Sequence, residues 1–346
     1  MATGDQFSGR SVLVTGGTGS FGQAFTRRIL AESNPRRLII FSRDELKQSE
    51  MRRAFPPEAH PNIRFFIGDI RDRDRLYRAL QKVDIVVHAA ALKQVDTAEY
   101  NPFEAVRTNV LGSQNVIDAA IDCGVRKVLA LSTDKAANPI NLYGATKLAA
   151  DKLFTAANNY AGADSTRFAV VRYGNVLGSR GSVVPLFTKL RASGTIPITD
   201  PRMTRFWITI DQAVAFVFAR LAGMRGGEVF VPKIPSMKLA DMARAICPDC
   251  EQHVVGVRPG EKMHEVMVPA DEASHTVDMG DHYVILPAFH HWEGAGYMAN
   301  YGGEPVPEGF VYSSETNEHW LGEGEFLELV GLKPTAASRR PEPVGA

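Results

Sequence analysis

The sequence predicts an α/β fold: a doubly wound parallel sheet with a smaller C-terminal part. Short apolar runs alternate with longer amphipathic ones through the first half, a glycine-rich turn follows the first apolar run, and the pattern loosens after about Gly174. Strands alternating with helices imply right-handed crossovers and a parallel sheet. A chain of 346 residues suits one large domain carrying a smaller one.

Ser11-Val-Leu-Val-Thr15 reads as the first strand, and Ser20 to Ser33 as a helix with apolar residues at Phe21, Phe25, Ile29 and Leu30. Strands are then expected at Arg37–Phe41, Ile63–Ile67, Ile85–His88, Lys127–Leu131 and Phe168–Arg172. Helices are expected over Arg73–Gln81, Pro102–Cys123 and Tyr143–Tyr160. Between Gly174 and Thr199, rich in Gly, Pro, Ser and Thr, loops and short helices should form a lid. Asp211–Met224 reads as a helix returning to the core and Glu228–Val231 as a strand. The large domain is therefore placed at 8–175, completed by about 211–235, and the smaller part at 176–210 and 236–332. The tail 333–346, rich in Pro, Ala, Ser and Arg, reads as disordered.

Charge and composition exclude several classes. Lys+Arg and Asp+Glu are both 39, so there is no global electrostatic case for nucleic acid or an anionic membrane. Neither a signal peptide nor a run of apolar residues of membrane-spanning length is visible, so the cytoplasm is expected. Three cysteines, Cys123, Cys247 and Cys250, argue for a reducing compartment and against a disulfide framework. Cys247-Pro-Asp-Cys250 lacks a second ligand pair for zinc, so no metal is expected. His290 and His291 read as ordinary surface or groove residues.

Thr15-Gly-Gly-Thr-Gly-Ser-Phe-Gly22 sits where the first strand turns into the first helix. Gly16, Gly19 and Gly22 allow a tight turn, close approach of a pyrophosphate to backbone N–H groups, and packing of the helix on the sheet. This is a Rossmann-type dinucleotide signature. At the end of the second strand, Ser42, Arg43 and Lys47 favour the 2′-phosphate of NADP, whereas Asp44 offers the competing NAD reading. Asp69 should meet the adenine or cap a helix.

Tyr143-Gly-Ala-Thr-Lys147 places a phenol and an ammonium on one helix face. The expectation is that Lys147 lowers the phenol pKa from about 10, so that Tyr143 takes a proton from a sugar hydroxyl as hydride leaves the carbon. Thr133-Asp134-Lys135 adds an acid and a base at the tip of the fifth strand. Elimination of water next to a ketone needs such a pair, and plain oxidation or 4-epimerisation does not.

Leu131-Ser-Thr-Asp-Lys-Ala-Ala-Asn-Pro-Ile-Asn-Leu-Tyr-Gly-Ala-Thr-Lys147 resembles the active-site segment of the inverting UDP-N-acetylglucosamine 4,6-dehydratases, an extended short-chain dehydrogenase/reductase family. So do Ser42–Glu50, His88–Lys93, Arg172–Pro185, Met203–Trp207, Phe230–Met237 and Arg258–Glu265, so the likeness spans roughly Ser11 to Leu321. The resemblance implies oxidation at C4, loss of water across C5/C6, return of hydride to C6, and inversion at C5. Tyr143, Lys147, Thr133, Asp134 and Lys135 would be catalytic. The dinucleotide would contact Gly16, Thr18, Gly19, Ser20, Phe21, Gly22, Ser42, Arg43, Asp44, Lys47, Asp69, Ile70, Ala89, Ala90, Lys93, Tyr143, Lys147 and Val176. The UDP-sugar would contact Lys93, Asn175, Arg180, Gly181, Ser182, Val183, Val184, Thr199, Arg205, Arg258 and Glu261, with Ser314 and Asn317 closing on the nucleotide. Glucose-type dehydratases carry Asp-Glu where this chain has Asp134-Lys135, and the membrane-anchored retaining branch carries Met in place of Tyr143, which favours the soluble inverting branch.

The family usually has His and Pro where this chain has Gln94 and Asp96, which bears on sugar preference. The resemblance further implies a dimer or hexamer and a product used in pseudaminic acid or N-acetyl-L-fucosamine synthesis. Rival readings are a nucleotide-sugar 4-epimerase or reductase, a dehydratase of another UDP-sugar, one that stops at the 5,6-ene, and a non-catalytic NADP-sensing scaffold.

Overall fold

The computed structural model describes residues 6–162, 166–178, 183–287 and 302–332. The strands are β1 (Ser11–Thr15), β2 (Arg37–Ser42), β3 (Ile63–Ile67), β4 (Ile85–His88), β5 (Lys127–Thr133), β6 (Arg167–Tyr173), β7 (Asn175–Leu177), β8 (Thr195–Ile198) and β9 (Thr204–Thr209). They continue with β10 (Val229–Pro232), β11 (Ser236–Lys238), β12 (Glu251–Val254), β13 (Val266–Val268), β14 (Thr276–Asp278), β15 (His282–Ile285), β16 (Glu304–Pro305) and β17 (Tyr312–Ser313).

Ten of these strands form one sheet in the order β16-β14-β15-β10-β6-β5-β4-β1-β2-β3. From β3 to β10 the pairings are parallel, and β15, β14 and β16 extend the sheet in antiparallel sense. The doubly wound parallel sheet expected from the sequence is therefore present. Its strands read as unbroken apolar runs because both faces are covered: Leu38, Ile39 and Ile40, like Val12, Leu13 and Val14, are fully buried. Residues 276–285, grouped above with the smaller part, lie in this sheet.

Helix α1 (Ser20–Glu32) covers one face beside a later helix, Ile210–Gly223, with Phe7, Phe25 and Phe218 packed edge to face between them. Thr209 and Gln212 form a reciprocal capping box at the start of that later helix. Two short helices, α2 (Glu45–Ala54) and α3 (Arg73–Ala79), follow β2 and β3, and α2 was not anticipated. The predicted helix 102–123 begins as expected but contains a π-helical turn at Arg107–Leu111. There Asn109 is buried, donates to Leu92 O (2.9 Å) and Thr146 Oγ1 (3.0 Å), and accepts from Leu92 N (2.8 Å). The irregular turn thus holds the loop after β4 against the helix Leu142–Ala161, a common use of such bulges near sites.

A second core gathers Leu177, Val184, Phe187, Ile196, Trp207, Met242, Ile246 and Phe326. It lies around helix Leu239–Ile246 and a last helix, Glu323–Leu329. One local disulfide, not anticipated from the sequence, forms here. A Pro-Asp turn directly after helix Leu239–Ile246, closed by Cys250 N–H donating to Cys247 O at 3.2 Å, brings Cys247 and Cys250 into a disulfide. Among the described residues no helix is long and apolar enough to cross a membrane.

His88 ends β4 fully packed, its Nδ1 2.8 Å from Thr15 Oγ1. Burial first, and the Lys147 charge second, push its pKa down from 6.5 to about 3. Between those values the unfolded chain binds a proton that the folded chain refuses, so the contribution is whole above pH 6.5 and is lost as pH falls toward 3. We expect wild type to lose on the order of 2 kcal/mol more than His88→Gln between pH 7 and 4.5. Urea midpoints of both proteins at the two pH values check this, and equal losses would reject it.

Candidate active site

The register of the parallel strands builds the site. Thr15 pairs with both Phe41 and His88, so the loops after β1, β2 and β4 leave the sheet at one carboxyl edge, on either side of the point where strand order reverses. Such a switch point opens a crevice. Here it is a cleft of about 890 Å³ running from the glycine loop to the tips of β5 and β6.

The glycines are required by approach distances. Gly16 has φ +64°, and a Cβ there would lie 2.9 Å from the Ala90 backbone. A Cβ on Gly22 would lie 2.3 Å from Gly17 O, so α1 could not sit so near the loop. Gly19 is the N-cap of α1 and supplies no side-chain cap, which suits an anion at the helix start. Thr18 Oγ1 donates to Ser42 Oγ at 3.1 Å and ties the loop to β2. All the residues predicted to hold the dinucleotide line this cleft, and its shape and donors fit one.

At the far end, the Asp44 carboxylate caps α2 through Lys47 N (3.0 Å) and pairs with Lys47 Nζ (2.7 Å). The hydrogen bond from Lys47 holds its pKa below the usual range. Asp69 is bound by Arg71 at 2.7 Å while lining the cleft.

The catalytic candidates converge at the other end. A three-residue helical turn, Asp134–Ala136, follows β5, and Asn141 caps the long helix α4 (Leu142–Ala161) by accepting from Gly144 N at 2.7 Å. A Cβ on Gly144 would lie 2.2 Å from Lys135 O. Only glycine lets α4 rest on the turn, and that contact sets Tyr143 beside Thr133 and Lys135. Thr133 Oγ1 donates to Asp134 Oδ1 (2.8 Å), which also accepts from Lys135 Nζ (3.1 Å). Lys135 Nζ reaches Asn175 Oδ1 at 3.4 Å and Glu265 Oε1 at 3.3 Å.

Burial alone would depress the Lys135 pKa, but the carboxylates of Asp134 and Glu265 outweigh it and raise it above the ordinary lysine value. Lys135 is therefore an ammonium in this arrangement. The Tyr143 phenol is pushed up to about 12 by burial, with Lys135 and a hydrogen bond shared with Thr133 pulling the other way. Lys147, expected to lower the phenol pKa, donates through Nζ to Leu131 O at 2.7 Å and has Asp151 as a charge partner, and Lys135 is a cation that favours the Tyr143 phenolate.

Of the residues expected to meet the sugar nucleotide, Lys93, Asn175, Val183, Thr199, Arg205, Arg258 and Glu261 line the cleft. Arg205 is nearly buried and donates to Thr204 O (2.7 Å) and Met263 O (3.0 Å). Three others are not among the residues lining the cleft. Val184 turns into the second core. Ser314 is fully buried, with its Oγ against Thr204 Oγ1 (2.7 Å) and accepting from Glu265 N (2.9 Å). Asn317 spends its amide on Ile234 O and Ser236 Oγ. Arg180, Gly181 and Ser182, like His290 and His291, lie outside the described residues.

Glu265, Asn109, Tyr173 and Trp207 shape the site and were not singled out from sequence. Glu265, Tyr173 and Trp207 carried a signal only as members of the Arg258–Glu265, Arg172–Pro185 and Met203–Trp207 segments, and Asn109 carried none. Asp96 lines a second, smaller cavity together with Lys135, Glu261 and Glu265.

A family profile described as polysaccharide biosynthesis protein matches residues 12–287. The chain is 51% identical over 330 residues to a UDP-N-acetylglucosamine 4,6-dehydratase (inverting) of Campylobacter jejuni, covering 94% of this chain and 98% of that one. It is 40% identical over 287 residues to a UDP-glucose 4-epimerase of Rickettsia canadensis, covering 81% and 83%. The structure of Pen from Bacillus thuringiensis matches with a TM-score of 0.85 at 36% identity, covering 94% and 97%.

The glycine geometry makes a prediction. Gly22→Ala should force α1 away from Gly17, at a cost of about 1–3 kcal/mol, and weaken dinucleotide binding at least about tenfold. Thermal unfolding and titration of NADPH fluorescence read the two effects, and unchanged affinity would separate Gly22 from the cradle.

Proposed function

The chain belongs to the polysaccharide biosynthesis protein family, and from that premise we propose that it is a C5-inverting UDP-N-acetylglucosamine 4,6-dehydratase that uses NADP. The observation that carries this reading is the hydrogen-bonded pair Asp134–Lys135 at the tip of β5, in the same cleft end as Tyr143. A 4-epimerase or reductase reading, suggested by the epimerase relative, leaves that pair without a task.

NADP over NAD is supported by Ser42, Arg43 and Lys47 around the end of β2, with Asp44 already engaged by Lys47. When bound, the oxidised nicotinamide supplies an acceptor for the C4 hydride and later returns it to C6. Tyr143 takes the C4 hydroxyl proton, helped by the Lys135 charge that opposes burial of the phenolate. The C5 proton, now α to a ketone, is acidic. Moving one proton along the 3.1 Å hydrogen bond from Lys135 Nζ to Asp134 Oδ1 yields a neutral amine and a carboxylic acid together. The amine removes the C5 proton, and the acid protonates the departing 6-hydroxyl as water. After that step Lys135 is again an ammonium and Asp134 a carboxylate. With hydride restored at C6, uptake of a solvent-derived proton at C5 on the opposite face gives UDP-2-acetamido-2,6-dideoxy-β-L-arabino-hexos-4-ulose. Lys93 and Arg258 supply cations for the diphosphate.

The test is incubation with UDP-N-acetylglucosamine in D2O without added reductant, followed by NMR. The expected product is a 4-keto-6-deoxy sugar with inverted C5 and solvent deuterium at C5. A C4 epimer alone, or retention of the 6-hydroxyl, would overturn the reading. Lys135→Ala should lose C5 exchange by about 10²–10⁴-fold while some cofactor reduction survives, and full activity in that variant would remove Lys135 as the base.

A further inference from the structure

Glu265 is a buried carboxylate for which the proposed reaction has so far given no role. It immediately precedes β13 and is 2% exposed. Its main chain is clamped by one residue: Glu265 N–H donates to Ser314 Oγ (2.9 Å), and Ser314 N–H donates to Glu265 O (2.8 Å). Three cations surround its side chain. Oε1 lies 3.3 Å from Lys135 Nζ and 3.9 Å from Arg205 Nε, and Oε2 lies 3.8 Å from Lys262 Nζ. Oε2 makes no hydrogen bond. A buried carboxylate costs several kcal/mol unless nearby charges repay it, so this placement concerns those cations. Arg205 and Lys262 each have carbonyl partners, at Thr204 O and Met263 O for the first and Ala137 O for the second. Lys135 is different, because its Nζ lies between two carboxylates, Asp134 and Glu265. It also lines both the main cleft and the adjoining cavity of about 210 Å³ that Glu265 shares.

We propose that Glu265 is a positioning residue for Lys135: together with Asp134 it holds the ammonium, and it sets the pH below which the Lys135–Asp134 pair takes up a second proton and can no longer supply the neutral amine. This rests on the dehydratase reading above. The groups facing Lys135 are Asp134 on its own turn, Tyr143 on α4, Arg205 on β9, Asn175 on β7, and Lys262 and Glu265 on the segment before β13. Asp134 and Glu265 favour the charged lysine and Arg205 disfavours it. Removing Glu265 therefore takes away one of two stabilising anions, which favours the neutral-amine and carboxylic-acid form of the Lys135–Asp134 pair and lowers the pH at which that pair takes up a second proton.

The experiment compares wild type, Glu265→Gln and Glu265→Asp, each with NADP bound, in pH profiles of UDP-N-acetylglucosamine dehydration and of C5 deuterium incorporation. Glu265→Gln should move the acidic limb down by about one pH unit. Glu265→Asp, which keeps the charge but draws it back by one methylene, should move it by less in the same direction, with KM for the UDP-sugar changing less than about threefold. A limb that stays in place in either folded variant overturns the proposal. So does a rise in KM with an unmoved limb, which marks a structural role only. If Glu265→Gln fails to fold, Glu265→Asp decides alone. A wild-type enzyme that forms no 6-deoxy product sinks the dehydratase reading itself, whereas wild-type turnover with unmoved variant limbs sinks only the role of Glu265.

Discussion

A side chain of any size at position 144 would bring its Cβ to 2.2 Å from the carbonyl oxygen of Lys135. The contact between α4 and the turn after β5 is therefore as close as two backbones allow, and much of the site hangs on it. It fixes Tyr143 over the turn, aims Lys147 back at Leu131 O, and leaves Asp151 one helical turn further on to accept from Ser132 Oγ at 2.7 Å. The fully buried Arg172 lies 3.6 Å from Asp151 and 2.7 Å from Glu272, so the same helix is coupled through β6 to the chain after β13. A one-residue slip in α4 would dismantle all of these contacts together.

Around this frame the charges are arranged in alternation. Lys135 stands between Asp134 and Glu265, Glu265 among Lys135, Arg205 and Lys262, and Asp151 between Lys147 and Arg172. Isolated, any of these buried ions would neutralise or draw in water. Paired, they keep defined protonation states in a low-dielectric cleft, where a proton moved by one bond changes the chemistry of two groups at once.

Features that depend on local backbone geometry were legible in the sequence. The glycine spacing, the Tyr143/Lys147 interval and the unbroken apolar strands each follow from a short stretch of chain, and the structure sets them together. What escaped depends on distant partners. Nothing near Ser314 shows that its hydroxyl would turn inward to hold Glu265. The i, i+4 spacing of Tyr143 and Lys147 says nothing about Leu131 O, the acceptor that holds the ammonium. The π turn at Arg107–Leu111 leaves no periodic trace, because Asn109 earns its place only through Leu92 and Thr146. The β14–β15 pair was too short to register as strands, and its position at the sheet edge is decided by β10.

The second core is assembled from pieces far apart in the chain: Leu177, Val184 and Phe187 early, Leu321, Phe326 and Leu327 late. During synthesis, the parallel strands β1 to β6 can pair as they emerge, but the early pieces of the second core must wait roughly 150 residues for their last partners. Until then Val184 and Phe187 lack part of their apolar cover, on a segment that lines the cleft. The second core is therefore completed late in synthesis, after the strands and turns that build the glycine-loop end of the cleft have all emerged.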